Sequence, residues 1–260
     1  ELFWDTYYHY APRLERRVEC NYTGDSFGNF TLSGTGEAIY SELTHLSDVG
    51  FLMTIPNSSG RFLAKYYQQI SPEQGEYTTL LDITYDDPTR LDDIYSFVPS
   101  MRRSLRLSQA ARCAPLIGTD FTWEDANLGV PSLPQEFKIR YLGERRILAL
   151  VHVDGNAFET CGRTSGLPKK YFYLAGQSVV PWARPGLGNW EFLDVYVLEM
   201  ERLPPFSSNY CYSKRIIYVD KETFFPLTTE LYDPDGKFYR YIFEFLRPLL
   251  CHGSPSCTIR

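Results

Sequence analysis

The chain has 260 residues, 43% of them apolar, with 26 Lys and Arg against 32 Asp and Glu for a formal charge of −6. That length and composition supply enough apolar side chains for a substantial core and exclude intrinsic disorder. The acidic balance argues against a nucleic-acid partner, which a basic face would advertise. No stretch approaches 18 consecutive apolar residues, so no transmembrane segment is expected.

Alternating or fully apolar runs predict strands over 13–23, 27–33, 37–46, 48–55 and 61–70. Turn signals at Asn57-Ser58-Ser59-Gly60 and Ser71-Pro72-Glu73-Gln74-Gly75 bracket the last of these. The next strand, 77–85, puts Tyr77, Thr79, Leu81, Ile83 and Tyr85 on one face. Over 92–98 the spacing of Leu91, Ile94, Tyr95 and Val98 predicts a short helix, stopped by Pro99.

A strand over 100–108 places Arg102 and Arg106 with Ser104 on one face, and Arg103 with Leu105 and Leu107 on the other. Thr122-Trp123-Glu124-Asp125 has the form of a capping box, with Gly129 as a helix stop. Strands over 136–142 and 145–153 precede a Gly-, Pro- and Ser-rich stretch, 162–189, that reads as a long loop over a sheet. Strands over 190–201, 209–219 and 224–232 lead through Asp233-Pro234-Asp235-Gly236 to 237–246. There Tyr239, Tyr241, Phe243 and Phe245 share a face opposite Arg240 and Glu244. Strands at this spacing, joined by tight turns, define an antiparallel sandwich or barrel. With no linker or repeat, residues 1–260 read as one domain.

The six cysteines (Cys20, Cys113, Cys161, Cys211, Cys251, Cys257) are an even number, which suits an oxidising compartment and up to three bridges. Cys251 and Cys257, flanking Gly253 and Pro255, are the most credible local pair. Together with His252 they lack a fourth ligand and zinc-ribbon spacing, so no metal site is expected.

Catalytic patterns are weak. Gly24-Asp25-Ser26-Phe27-Gly28 has the five-residue form of a nucleophile elbow, but a strand follows it where the motif requires a helix. His152 shares a strand face with Leu148 and Leu150, as a core histidine does, and His9, His45 and His252 form no metal-ligand spacing with it. The carboxylates Asp92/Asp93 and Glu124/Asp125 sit at predicted helix starts, where they complement the macrodipole. Three arginines in Arg102-Arg103-Ser104-Leu105-Arg106 suit either an anionic group or nearby acids, and Arg103, pointing with leucines, has the better claim to a buried partner.

Two blocks carry a family resemblance. One is Asp92-Asp93-Ile94-Tyr95-Ser96-Phe97-Val98-Pro99-Ser100-Met101-Arg102-Arg103-Ser104-Leu105-Arg106 followed by Gly118-Thr119-Asp120-Phe121-Thr122-Trp123-Glu124-Asp125. The other joins Val195-Tyr196-Val197-Leu198-Glu199 through Tyr212-Ser213-Lys214-Arg215 to Tyr232-Asp233-Pro234-Asp235-Gly236-Lys237. Both are similar to a bacterial family of exported proteins of unknown function, the outer-membrane lipoprotein-sorting-like proteins, over about residues 60–246. Residues 1–59 match it weakly, and 247–260 form a Cys-containing tail.

The resemblance implies a mainly β fold: a highly curved antiparallel sheet forming an unclosed barrel, with a few short helices covering its mouth. It implies a periplasmic, exported protein, processed from a signal peptide, and is compatible with association with the outer membrane. Such a protein holds an acyl chain or other hydrophobic molecule, without catalysis or cofactor, and has an envelope transporter as a possible partner. The candidate lining residues are Tyr77, Leu81, Ile83, Tyr239, Tyr241, Phe243 and Phe245, with Trp123 and Trp182 near lids and Arg103 orienting a polar head. An envelope interaction subunit with a filled barrel is the alternative. A hydrolase using Ser26 or His152 is a third. The aromatic share of 16% suits either a solid core or a lined hollow.

Overall fold

The computed structural model describes residues 1–7, 14–24, 30–46, 56, 58–87, 89–108, 112–115, 121–125, 134–151, 158–159, 173–174, 189–208 and 210–243. The period-two segments form strands β1 (Leu14–Gly24), β2 (Phe30–Glu42), β3 (Arg61–Ser71), β4 (Thr79–Tyr85), β5 (Asp93–Val98), β6 (Arg103–Leu107) and β7 (Phe137–Val151). They continue with β8 (Phe158–Glu159), β9 (Tyr173–Leu174), β10 (Asn189–Arg202), β11 (Lys214–Asp220), β12 (Pro226–Tyr232) and β13 (Phe238–Phe243). A first antiparallel sheet has the order β1-β2-β3-β4-β5-β6, a second the order β13-β12-β11-β10-β7, and β8 pairs with β9. Neither large sheet closes on itself, so the fold is the expected mainly β, unclosed barrel. The described helices are short: α1 (Leu2–Tyr7), α2 (Pro204–Ser207) and single 3₁₀ turns. No described helix is long and apolar enough to cross a membrane.

Four local expectations differ from the structure. The helix predicted over 92–98 is strand β5. Its β-branched and aromatic side chains suit a pleated surface, and Ile94 and Ser96 are buried on one face while Phe97 is exposed on the other. Strands 136–142 and 145–153 are one strand, β7, bent by a bulge where Gly143 takes a φ of +103° and the register with β10 slips. Strands 27–33 and 37–46 are likewise one strand, β2. Its Gly36 lies under the Tyr67 ring, where an added Cβ would stand 2.3 Å from the hydroxyl oxygen. Tyr77 lies before β4 in a turn, with φ of 64°, so it does not extend that strand face. The strand expected over 48–55 lies outside the described residues.

Each sheet turns one face toward elements that bridge the two. Phe3 of α1 packs into the second sheet's cluster of Phe137, Leu198, Met200, Ile217 and Val219, while Tyr7 of α1 meets Phe62 of the first sheet at 5.6 Å between ring centroids. The second sheet's opposite face has its own cluster, Ala149, Val195, Val197, Phe225 and Leu227. Each such buried aliphatic side chain contributes roughly 1.5–3 kcal/mol. The inner face of the first sheet is different: its buried residues include Lys65, Gln69, Asp82, Thr84 and Ser96.

Candidate functional site: a turn clasped between the sheets

The 3₁₀ turn Trp123–Asp125 is buried between the two inner faces. Its start is capped from within, as the backbone N–H and hydroxyl of Thr122 both donate to Asp125 Oδ2 at 2.8 Å. This is the local geometry foreseen in Thr122-Trp123-Glu124-Asp125, compressed into one turn.

Each side chain of the turn then reaches a sheet. Trp123 Nε1–H donates to Asp82 Oδ2 on β4 at 2.8 Å, and Lys65 Nζ of β3 stands 3.9 Å from the same oxygen. Glu124 Oε1 accepts from the Tyr210 hydroxyl at 2.7 Å and from Arg215 Nη2 of β11 at 3.1 Å. Arg215 also donates through Nε and Nη2 to the Tyr210 oxygen, at 3.1 and 2.6 Å. Asp125 accepts from the Tyr212 hydroxyl at 2.6 Å and from Arg240 of β13. Arg112 pairs with Glu124 Oε2 at 2.9 Å and with Asp92 at 2.6 Å. Arg202, paired with Glu136, lies 4.3 Å over the Tyr210 ring.

Five cations (Lys65, Arg112, Arg202, Arg215, Arg240) thus face five carboxylates (Asp82, Asp92, Glu124, Asp125, Glu136). Mutual neutralisation is what lets so many charges leave water. Burial marks their acidities. It pulls the Lys65 ammonium down, against the pull of Asp82. It raises the Asp92 carboxyl to about 7, against the opposing charge of Arg112. It also pushes the Tyr210 and Tyr212 hydroxyls up, so both stay protonated donors. Asp82 Oδ1 and Arg215 Nη1 are closed off from solvent without a hydrogen-bond partner. Here the space between the sheets is filled.

A disulfide fixes this arrangement. Cys113, next to Arg112, is bonded to Cys211, between Tyr210 and Tyr212, across 98 residues of sequence and a Cα–Cα distance of 5.5 Å. Closing a loop of that length removes about 4–5 kcal/mol of chain entropy from the unfolded state. The local pair expected at Cys251 and Cys257 lies outside the described residues, as does Cys161. The bridge that is described joins two segments 98 residues apart instead.

The sequence-derived candidates divide among several places. Trp123 is in the network. Leu81 and Ile83 share the face of β4 opposite Asp82, away from Trp123. Tyr77 is 59% exposed in its turn. Arg103 has the register of the inner face, with Leu105 and Leu107, but is exposed there, whereas Arg106 pairs with Asp93 on the other side. Tyr241 is exposed opposite Glu230 on the outer face of the second sheet. Tyr239 leans toward Tyr212, 6.5 Å between centroids. Phe243 ends β13, and its side chain lies outside the described residues together with Trp182, Phe245, Ser26 and His152.

Sequence reasoning missed Asp82, Arg112, Tyr210, Tyr212 and Arg215. It assigned Glu124 and Asp125 to helix-dipole duty. The available signal was the adjacency of Cys113 to Arg112 and of Cys211 to two tyrosines.

At the far end of the second sheet the inner face is apolar and open. Leu148 of β7 stands directly opposite Phe192 of β10, and Leu150 opposite Trp190. Leu148, Phe192 and Trp190 are 52%, 69% and 37% exposed. The ion pair Arg146–Asp194, with contacts of 2.9 and 3.1 Å, closes the inner edge of this step.

The unclosed antiparallel fold is similar to that of solved lipoprotein-sorting-like domains. A solved domain from Vibrio parahaemolyticus, described as an outer membrane lipoprotein-sorting protein, superposes with a TM-score of 0.57 and 15% identity over 91% of this chain and 72% of that one. A DUF1329 family protein from Desulfovibrio piger gives 0.50 and 14% over 88% and 68%. A LolA superfamily protein from Nitrosomonas europaea gives 0.41 and 11% over 91% and 72%. The model of the protein family of unknown function DUF1329 matches residues 1–250, and the chain belongs to that family. The match begins at residue 1, so it includes the N-terminal strands that resemble the family only weakly by motif. No curated protein matches the chain.

Proposed function

We propose that the protein is an exported, periplasmic carrier of a hydrophobic molecule such as an acyl chain, acting without catalysis or cofactor and as one domain over 1–260. The observation that carries this reading is the apolar step of Leu148, Trp190 and Phe192. Exposed aromatic and aliphatic side chains on the inner face of an unclosed barrel are costly in water unless a guest covers them. Their free surface, on the order of 300 Å², is far below the roughly 800 Å² per partner that a standard protein interface buries. It suits one acyl chain, gaining about 25 cal/mol per Å² covered.

Denaturing extraction of the purified protein, followed by mass spectrometry, is expected to release a lipid-like molecule. Adding fatty acids or phospholipids is expected to raise the melting temperature. Extraction of nothing, with melting unmoved by lipids, contradicts the carrier.

A second reading, an envelope subunit that docks a transporter or assembly partner, is favoured by the filled network around Trp123–Asp125. It predicts no lipid in the extract and a stable complex with an envelope membrane protein on size-exclusion chromatography.

A further inference from the structure

Segments 112–115 and 121–125 form a strap across the mouth, and its attachments make a closed circuit. An isolated antiparallel bridge joins Pro115 to Thr122, tying the two segments together. From there Trp123 reaches the first sheet at Asp82, and Glu124 and Asp125 reach the second at Arg215 and Tyr212. The circuit closes through Cys113–Cys211, the one described covalent link between strap and second sheet.

The remaining attachments are the buried indole of Trp123 together with buried ion pairs and charge-assisted hydrogen bonds. Their Coulombic gain roughly cancels the cost of desolvating both partners, so they position the strap while contributing little net holding force. The disulfide supplies that force by keeping Tyr210 and Tyr212 at a high effective concentration beside Glu124 and Asp125.

We propose that the strap is a redox-set clasp: oxidised, it shuts the polar half of the mouth; reduced, it releases from both sheets while the sheets stay folded. A dithiol such as dithiothreitol performs the step. One of its thiolates attacks a cysteine sulfur, the Cys113–Cys211 bond breaks, two cysteine thiols form, and the reagent departs as its own cyclic disulfide. The clasp gives the carrier reading above a regulated entrance, and its significance for transport rests on that reading.

Hydrogen–deuterium exchange with mass spectrometry, on the oxidised and the dithiothreitol-treated protein, tests the clasp directly. Amides of 112–114 and 122–125 are expected to exchange at least tenfold faster after reduction, while those of β3, β4, β10 and β11 are unchanged. The double variant Cys113→Ser/Cys211→Ser, without reagent, is expected to match the reduced protein, which isolates this bridge from the other four cysteines. Unchanged exchange in the strap overturns the proposal. So does an equal rise throughout both sheets, which would make the bridge a staple of the whole fold. A fluorescent fatty acid added to both forms is expected to bind the reduced one several-fold more. A strap that opens while neither form binds the probe leaves the clasp standing and removes the carrier.

Discussion

On the inner face of β3–β5 the buried side chains include Lys65, Gln69, Asp82, Thr84 and Ser96; on that of β10–β12 they include Leu198, Met200, Ile217, Val219 and Leu231. Both sets of side chains are buried, but for different reasons. The second sheet is covered because burying aliphatic surface is favourable in itself. The first buries Ile94 in the same way, but its polar side chains are covered because the strap and its neighbours bring matching partners: an indole N–H for Asp82, and a neutralising set of charges around it. An apolar face tolerates substitutions in proportion to the volume lost. A polar face fails abruptly, since one missing partner leaves a buried charge without compensation.

The sharpest break is expected at Arg215, a buried charge set among the aliphatic residues of the second sheet's own inner face. Arg215→Ala takes away one of the two arginines that neutralise the buried Glu124 and should lower the unfolding free energy by about 3–5 kcal/mol in urea titration. Ile217→Val, two residues along the same face of the apolar sheet, should cost only about 0.5–1.5 kcal/mol. Equal losses at the two positions would erase the distinction. Trp123→Phe keeps the ring but removes the donor to Asp82, and is expected to cost about 1–3 kcal/mol. Gly36→Ala forces the Tyr67 ring from its seat and should cost about 1–3 kcal/mol, as overpacking does.

The pH dependence sharpens the contrast further. Burial raises the folded-state Asp92 carboxyl to about 7, so the protonated form is the one the fold favours. Its contribution to stability is therefore complete below the ordinary carboxylate range and is lost as pH rises through about 7. Asp92→Asn, which cannot ionise, is expected to gain stability relative to the wild type as pH climbs from 4 to 8. Melting curves at both ends check this, and a wild-type advantage that grows with pH would contradict it. The smallest effect on stability is expected at the apolar step: Phe192→Ser should stay within about 0.5 kcal/mol of the parent while losing acyl-probe binding.

The two halves were unequally legible in the sequence. Alternation located most strands of both sheets because period two is a local property, read from neighbours such as Leu81 and Ile83; on β13 a bulge separates Tyr239 from the face of Tyr241. It failed at 92–98, where the spacing of Leu91, Ile94, Tyr95 and Val98 satisfies a helix as well as a strand. Only pairing with β4 and β6 decides between them. It also split β2 and β7 at glycines that the sheet retains for a close ring contact and a bulge.

The polar site was largely hidden. Asp82, Arg112, Glu124 and Arg215 are spread over more than 130 positions, and nothing local distinguishes a buried charge from a solvated one. Trp123 was reached through the resemblance rather than through periodicity. Which face of β4 turns inward is a question of register, and it sets Leu81 and Ile83 opposite Asp82 and Trp123.

The carrier and the clasp both depend on one claim: the inner space is filled at the polar sheet and open at the apolar step. Photocrosslinking of the oxidised protein with a diazirine-bearing fatty acid, mapped by peptide mass spectrometry, reads this directly. Adducts are expected on β7 and β10 around Leu148, Trp190 and Phe192, with none on β3–β5. Adducts centred on β3–β5, or none on the folded protein, would contradict it.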